Sequence, residues 1–162
     1  MTLTVRRAEE GDVAAITAIY NHYVESSIAT FEETPVTPVE IVRRMTTTRT
    51  GWWVAEREDQ LLGYAYADDF KSRSAYRYSL EVSVYLHHDS QGAGAGTALY
   101  ERLFEEMRTD GYHLAIAGIS LPNAASVALH EKFGMEKVAH FYEVGYKLGK
   151  WIDVGYWQCR LD

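Results

Sequence analysis

Three alternating glycines, Gly92, Gly94 and Gly96, follow an apolar stretch and precede a helical pattern. Glycine lets backbone N–H groups approach an anion closely, and the N-terminus of a helix adds partial positive charge. Because no lysine or arginine stands between His87 and Glu101, these N–H groups must carry most of the binding. The spacing fits neither the six-residue dinucleotide pattern nor the Gly-Lys-Ser/Thr ending of a phosphate-loop NTPase. It predicts a site for a phosphate-bearing ligand; the alternative is a turn that only joins strand to helix.

Glu81 is the candidate general base, because it lies in an apolar stretch between Leu80 and Val82. Partial burial raises the pKa of a carboxyl toward neutrality, where it can take a proton directly or through a water molecule. The alternation of the same stretch places Glu81 on the polar face with Arg77 and Ser79. A solvated carboxylate is therefore the alternative interpretation.

A second group of polar residues lies on a predicted helix over 123–133. Asn123 suits the N-cap of this helix, and Gly134 suits the position after its last turn. His130 lies inside the helix and is a candidate acid or base, since an imidazole titrates near neutral pH. A structural role is the alternative for an isolated histidine on a helix.

These residues need strands and helices to bring them together, and the hydrophobic pattern supplies both. Alternation predicts strands and a period of 3.6 predicts helices. The predicted strands cover 3–6, 52–56, 60–67, 76–86, 113–119, 136–146 and 151–160. The predicted helices cover 9–26, a short segment from Thr37, a long segment from the glycine loop to about 111, and 123–133. This order predicts one α/β domain over residues 1–162 with a mixed sheet.

The composition excludes several classes of function. The chain has 162 residues, 47% of them hydrophobic, and a formal net charge of −7, which argues against nucleic acid as a partner. Its apolar runs are too short to span a bilayer. The opening residues lack a signal-peptide pattern and Cys159 is the only cysteine, so we expect a cytoplasmic protein. His87, His88 and His113 lack a metal-ligand spacing, and we expect no metal.

Two motifs in this order resemble the GNAT superfamily of acyl-CoA N-acyltransferases. The first is the stretch 82–86 with the loop Gln91-Gly92-Ala93-Gly94-Ala95-Gly96, similar to the family's (Gln/Arg)-x-x-Gly-x-(Gly/Ala) pyrophosphate loop. The second is the helix with Asn123 and Leu129-His130-Glu131-Lys132-Phe133-Gly134-Met135. The resemblance implies a mixed, mostly antiparallel central sheet, flanked by about four helices and splayed at a bulge after Glu81.

The resemblance also implies acetyl-CoA as the co-substrate. The strand would bind the pantetheine arm of the cofactor, and the loop would bind its pyrophosphate. The helix that begins at Asn123 would contact other atoms of the cofactor. Asn123 is equally suited to be only a helix cap. Gln91 stands where many relatives have arginine, and Lys132 would supply a cation instead. The implied cofactor-binding residues are Val84, Tyr85, Leu86, Gln91, Gly92, Ala93, Gly94, Ala95, Gly96, Thr97, Asn123, Ser126 and Lys132.

A longer set of residues resembles the phosphinothricin acetyltransferases and their relatives that acetylate methionine sulfoximine and methionine sulfone. It includes Tyr20-Asn21-His22-Tyr23 and Gly145-Tyr146-Lys147-x-Gly149-x-Trp151, and the likeness covers nearly the whole chain. The resemblance implies direct transfer to the α-amine of a small amino-acid analogue in a ternary complex, with Glu81 as base and His130 assisting, and a homodimer. The implied substrate-binding residues are Phe31, Lys71, Arg73, Ser74, Ala75 and Tyr76.

Other interpretations stay open at this point. By their types alone, Lys71 and Arg73 suit a solvated loop, and Phe31 suits an ordinary core position. A GNAT enzyme can act on another amine, such as a peptide N-terminus or an aminoglycoside. A non-catalytic acyl-CoA sensor is a further alternative, against which the presence of both Glu81 and His130 argues.

Overall fold

The computed structural model describes residues 2–162, which form a seven-stranded sheet with helices on both faces. The strands are β1 (Thr4–Arg7), β2 (Trp53–Arg57), β3 (Gln60–Asp69), β4 (Ser79–Leu86), β5 (Leu114–Leu121), β6 (Glu136–Lys147) and β7 (Lys150–Arg160). Their spatial order is β1-β2-β3-β4-β5-β7-β6, and every neighbouring pair is antiparallel except β4 with β5. The mixed, mostly antiparallel sheet predicted from the resemblance is confirmed.

Four α-helices flank the sheet in the described part of the chain. They are α1 (Val13–Ser26), α2 (Pro38–Thr47), α3 (Ala95–Thr109) and α4 (Ala124–Lys132), with short 3-10 turns at Glu10–Asp12 and Ser74–Tyr76. Across residues 2–162, none of the helices has the length and apolar character needed to cross a membrane.

A separate hydrophobic core lies on each face of the sheet. Under α3, the side chains of Leu99, Leu103 and Met107 are completely buried against the strands. On the other face, α1 and α2 bury Ile16 and Ile41 against β2 and β3. Each fully buried side chain of this size contributes roughly 1.5–3 kcal/mol of hydrophobic free energy. The two cores therefore hold the sheet firmly on both sides.

The sheet opens between β4 and β5 directly after Glu81. The parallel ladder joins only Ser79–Glu81 to Leu114–Ile116, and the two strands diverge beyond it. The ladder between β3 and β4 keeps a continuous register from the Asp69–Leu80 pair to the Gly63–Leu86 pair. The predicted splay is therefore present, but it arises from divergence of β4 and β5 and not from the expected bulge in β4.

Local signals fix the ends of several elements. Thr37 caps α2, since its Oγ1 accepts a hydrogen bond from the Glu40 amide at 3.2 Å. Gly134 follows α4 with φ of 84°, as expected for a residue that ends a helix. The predicted strand over 76–86 begins later than expected, at Ser79, because Tyr76 closes a 3-10 turn by donating to the Arg73 carbonyl.

Candidate active site

The divergence of β4 and β5 opens a cleft of about 360 Å³. Its walls are the two separated strands, the glycine loop, the first turns of α3 and the start of α4. The predicted site residues that line it are Val84, Tyr85, Leu86, Gln91, Gly92, Gly94, Gly96, Thr97, Asn123, Ser126 and His130. Two motifs that are far apart in the sequence therefore meet at one cleft.

The three glycines of the loop are required for different reasons. Gly92 and Gly94 each have φ of 84°, a conformation that other L-residues adopt only with strain. Gly94 is also the N-cap of α3, so the N-terminus of this helix opens onto the cleft. A Cβ at Gly96 would lie 3.1 Å from Cδ2 of Leu129, so this glycine allows α3 to pack against α4. Only the first two glycines shape the loop itself.

Three predicted cofactor-binding residues lie outside the cleft lining: Ala93, Ala95 and Lys132. The Ala93 amide donates to the Ser90 carbonyl at 3.4 Å, and Ala95 is buried in the core at the start of α3. The Lys132 Nζ donates to Oγ1 of Thr97 at 3.2 Å. The lysine is thus held next to a residue that lines the cleft rather than in the lining.

Tyr23 of α1 lines the cleft, although the sequence did not single it out as a site residue. Its hydroxyl donates to the Leu86 carbonyl and accepts from Nε2 of Gln91 at 3.3 Å. These bonds tie α1 to the end of β4 and to the start of the loop. In the sequence Tyr23 belongs to the apolar stripe of its helix, and this pattern gives no sign that its hydroxyl lies at the cleft.

Asn123 caps α4, since its Oδ1 accepts a hydrogen bond from the Ser126 amide at 3.1 Å. Both residues also line the cleft. The capping interpretation is confirmed, and the position of the side chain at the cleft leaves it available to a ligand as well.

His130 is held by two hydrogen bonds inside the helix layer. Its Nδ1 lies 2.7 Å from the Ser126 carbonyl oxygen, and its Nε2 lies 2.8 Å from the Tyr100 hydroxyl. A carbonyl oxygen only accepts, so Nδ1 carries the proton and Nε2 accepts from the Tyr100 hydroxyl in neutral histidine. Tyr100 also lines the cleft, and the sequence missed it because it lies within the apolar face of α3.

Burial keeps both members of this pair neutral. Desolvation lowers the pKa of His130, and the hydrogen bond to the Ser126 carbonyl offsets part of that change. Desolvation also raises the pKa of Tyr100 well above its usual range. The pair therefore presents an uncharged hydroxyl, oriented by an imidazole, at the wall of the cleft.

Glu81 lies at the point where β4 leaves β5. Its strand partners are Asp68 on β3 and Ile116 on β5, and the next residue, Val82, lines the cleft. Desolvation raises the pKa of the Glu81 carboxyl. Within residues 2–162 its carboxylate has no hydrogen-bond or ion-pair partner, and its side chain is half-buried rather than fully solvated.

Residues 5–155 match the family described as acetyltransferase (GNAT) domain. This chain belongs to the GNAT acetyltransferase family. It is 40% identical over 160 residues to the phosphinothricin N-acetyltransferase of Streptomyces viridochromogenes, covering 98% of this chain and 87% of that protein. It is 37% identical over 171 residues to the L-methionine sulfoximine/L-methionine sulfone acetyltransferase of Salmonella typhimurium, covering 99% of this chain and 95% of that protein.

A solved structure confirms the fold of this GNAT enzyme. A putative acetyltransferase from Salmonella typhimurium with its cofactor acetyl-CoA superposes with a TM-score of 0.96, at 36% identity, over 100% of this chain and 95% of that one. As a GNAT N-acetyltransferase, the chain is an acetyl-CoA-dependent acyltransferase.

The cleft of this GNAT domain fits acetyl-CoA on its own geometry. Beyond Glu81, the edge of β4 that faces β5 has no ladder, so its peptide groups are open to a bound chain. Gly92 and Gly94 have open space where a Cβ would be, beside the N-terminus of α3. An extended polar arm fits the strand edge, and a pyrophosphate fits the loop.

The predicted substrate residues are not brought together in this GNAT domain. Lys71, Arg73 and Tyr76 line a separate cavity of about 440 Å³ with Ser72. Their neighbours Ser74 and Ala75 form the exposed 3-10 turn before β4.

Phe31 lies elsewhere, on the segment between α1 and α2, and its ring lies directly over the backbone of Gly145. A Cβ at Gly145 would lie 2.3 Å from Cε2 of Phe31. With 41% of its surface exposed, Phe31 is not a core aromatic.

A histidine cluster precedes the glycine loop at the surface. Ligand atoms of His87, His88 and Asp89 lie within 4.8 Å of one another. Nδ1 of His87 accepts from the Asp89 amide at 3.1 Å, which is a turn interaction. No metal-dependent family is indicated by the relatives of this GNAT chain.

Proposed function

We propose that this acetyltransferase, as one domain over residues 1–162, acetylates the α-amine of small amino-acid analogues such as phosphinothricin, methionine sulfoximine and methionine sulfone. The transfer is direct, within a ternary complex. The identity of 40% and 37% to relatives named for these substrates, over nearly the full chain, supports this acceptor class. The observation that carries the chemistry is Glu81, an unpaired carboxyl with a raised pKa at the point where the cleft opens.

Bound acetyl-CoA supplies the acetyl group as a thioester. The backbone of Val84, Tyr85 and Leu86 binds its arm at the open edge of β4, and the loop N–H groups bind its pyrophosphate. Asn123 and Ser126 contact it from the start of α4. These residues place the acyl carbon near the end of the β4–β5 ladder, next to Glu81.

Glu81 removes a proton from the acceptor ammonium so that the amine lone pair is free to attack. A buried carboxylate is a stronger base than a solvated one, because desolvation raises its pKa. Once ionised, such a group accepts a proton more readily than an ordinary glutamate. This combination suits a base that acts on an amine.

The Tyr100–His130 pair stabilises the departing thiolate. In the resting site the Tyr100 hydroxyl donates to Nε2 of neutral His130. An anionic sulfur is a stronger acceptor than a neutral imidazole, so the hydroxyl proton turns toward the thiolate as charge develops there. Tyr100 touches the reacting atoms in this scheme, and His130 positions it.

Lys71 and Arg73 bind the polar or acidic group on the side chain of the acceptor, away from its amine. They line a cavity on the segment between β3 and β4, which leads into the strand that carries Glu81. Two cations there suit a carboxylate or phosphinate. Ser74, Ala75 and Tyr76 shape the turn that presents them, and Phe31 covers the acceptor from the α1–α2 segment.

We further propose that the chain is a homodimer, joined through the hairpin of β6 and β7. Large apolar side chains are exposed along this hairpin, and a contiguous exposed apolar surface is typical of a protein interface. They are Val138, Phe141, Tyr142, Val144, Tyr146, Leu148 and Trp151. Val144→Glu is expected to give a monomer by sedimentation velocity, whereas Val39→Glu, at an even more exposed site on α2, leaves the dimer intact.

Free-thiol release from acetyl-CoA tests the acceptor class. The purified chain is assayed with phosphinothricin, methionine sulfoximine, methionine sulfone, short peptides and an aminoglycoside. We expect turnover with the three amino-acid analogues and little with the others. Turnover confined to peptides or the aminoglycoside refutes the acceptor class, and binding of acetyl-CoA without turnover on any amine identifies a sensor.

A further inference from the structure

A second polar side chain shares the face of the sheet on which Glu81 lies. Glu81 pairs with Ile116 on β5, and Gly118, two residues further on, pairs with Tyr156 on β7. Paired residues point to the same face, as do residues two apart in a strand. Glu81 and Tyr156 therefore both point away from the core under α3.

The phenol ring of Tyr156 lies over Gly118, which lines the cleft. A Cβ at Gly118 would lie 3.1 Å from Cε1 of Tyr156 and 3.5 Å from its hydroxyl oxygen. On its other side the ring packs edge-on against Phe141, with centroids 5.8 Å apart at 89°. The ring is thus fixed between Phe141 and the cleft, with its hydroxyl beside the opening of the sheet.

The hydroxyl of Tyr156 is free to bind a ligand. Among residues 2–162 it makes no hydrogen bond, and its side chain is half-buried. Partial burial and the charge of Glu81 raise the pKa of Tyr156, so the phenol keeps its proton at neutral pH. A free O–H donor therefore lies within electrostatic reach of the free carboxylate of Glu81.

An α-amino acid matches this arrangement of groups. Its ammonium is a donor and suits the Glu81 carboxylate, while its own carboxylate is an acceptor two bonds away. A neutral phenol binds an anionic oxygen without adding charge, and it also separates the substrate carboxylate from Glu81. The same donor gains less from a neutral amide oxygen.

We propose that Tyr156 is a specificity-determining residue of the acceptor site, whose hydroxyl binds the α-carboxylate of the acceptor and holds its amine at Glu81. This inference rests on the proposed function. Gly118 is the matching requirement on β5, because a Cβ there would contact the phenol ring at 3.1 Å and shift it by a few tenths of an ångström.

Tyr156→Phe tests this inference, since it removes the hydroxyl and keeps the ring. With methionine sulfone as acceptor we expect KM to rise about 10-fold or more, because a hydrogen bond to a charged group is lost. With methionine sulfone amide we expect a change below about three-fold. The KM for acetyl-CoA and the melting temperature stay at the wild-type values. Tyr112→Phe, at a half-buried position between α3 and β5, is the matched control and changes neither acceptor KM.

The outcomes separate this inference from the function on which it rests. If the wild-type chain acetylates methionine sulfone and Tyr156→Phe leaves the acid-to-amide preference unchanged, Tyr156 does not bind the carboxylate. If the wild-type chain acetylates none of the amino-acid analogues, the proposed function fails first and the role of Tyr156 with it. A double-mutant cycle with Gly118→Ala adds a second readout. We expect Gly118→Ala to raise the acceptor KM in the wild-type chain and to have little further effect in the Tyr156→Phe variant, which already lacks the hydroxyl.

Discussion

Nε2 of His130 lies 2.8 Å from the hydroxyl oxygen of Tyr100, and this bond joins α4 to α3 in the wall of the cleft. Both residues are almost completely buried, with 4% of His130 and none of Tyr100 exposed. The Ser126 carbonyl fixes the tautomer of the ring. The two residues therefore act as one unit rather than as two independent groups.

Removing either member of this pair should impair the same step. We expect Tyr100→Phe and His130→Phe each to lower kcat about 10-fold or more, with a smaller change in the KM for acetyl-CoA. The double variant should be little worse than the worse single variant, because the pair works as a unit. Steady-state kinetics on all three variants measure this, and losses that multiply in the double variant would contradict it.

The acidic limb of the pH profile should belong to Glu81. The carboxyl acts as a base only when ionised, and burial raises its pKa above the ordinary value of 4.5. Activity should therefore rise with pH through a point above 4.5. In Glu81→Gln we expect kcat/KM to fall about 100-fold or more and that limb to disappear. Glu136→Gln, on exposed β6, is the control and should keep the wild-type profile.

Glu81 should also reduce the stability of the fold at neutral pH. The carboxyl has a higher pKa in the folded than in the unfolded chain, so the folded state binds more protons between these two values. The free energy of unfolding therefore falls as pH rises through that window. We expect Glu81→Gln to melt at a higher temperature than wild type near pH 7.5, with the difference shrinking toward pH 4. Scanning calorimetry at both pH values measures it, and equal melting temperatures at pH 7.5 would count against buried charge at this site.

Gly94 should be required by its backbone conformation. Its φ of 84° costs a residue with a Cβ roughly 1–2 kcal/mol, and the loop amides shift when the strain is relieved. We expect Gly94→Ala to raise the KM for acetyl-CoA about 10-fold while the acceptor KM changes little. Gly11→Ala serves as control, because a Cβ there meets nothing within 4 Å at an ordinary φ. An unchanged acetyl-CoA KM in Gly94→Ala would falsify the role of the loop.

Lys147 should fix the segment between α1 and α2. The lysine is 4% exposed, and its Nζ donates to the carbonyls of Thr30 at 2.7 Å and Tyr23 at 3.2 Å. Burial lowers the pKa of this ammonium. In Lys147→Met we expect the free energy of unfolding to fall by about 1–3 kcal/mol, because the buried Thr30 carbonyl loses its donor, whereas the Tyr23 carbonyl keeps the Ser27 amide.

Hydrogen exchange provides a second readout for Lys147. Amides over 27–34 should exchange faster in Lys147→Met, since this segment loses its attachment to the β6–β7 hairpin. Lys150→Met, at an exposed position on β7, should leave exchange unchanged. Wild-type protection of 27–34 in Lys147→Met would show that other contacts hold the segment.

The parts of the site that depend on local pattern were predictable from the sequence. The alternation of β4, the glycines at positive φ and the Asn123 cap are set by near neighbours, and each lies where expected. The hydroxyl of Tyr100 was not predictable, because α3 buries it with its apolar neighbours and its partner is 30 residues away.

Long-range geometry explains the other differences. Lys71 and Arg73 precede the catalytic strand in sequence, but a 3-10 turn at Ser74–Tyr76 directs them into a cavity of their own. The position of Tyr156 beside the cleft depends on the order β4-β5-β7, in which the last strand inserts between β5 and β6. Neither the turn nor the insertion of β7 can be predicted from the spacing of hydrophobic residues in the sequence.

Beyond Glu81, β4 and β5 are not paired with each other, so the sheet has two unpaired strand edges in its interior. Proteins whose outer edge strands are unpaired attract extended peptides there, by β-augmentation. Here the vacant strand position lies in the middle of the sheet, with α3 and α4 on one face and α1 on the other, out of reach of a second chain. A slender arm that carries amide groups, as the pantetheine of acetyl-CoA does, can enter as the missing strand. We therefore expect the incomplete ladder to select the co-substrate by backbone pairing.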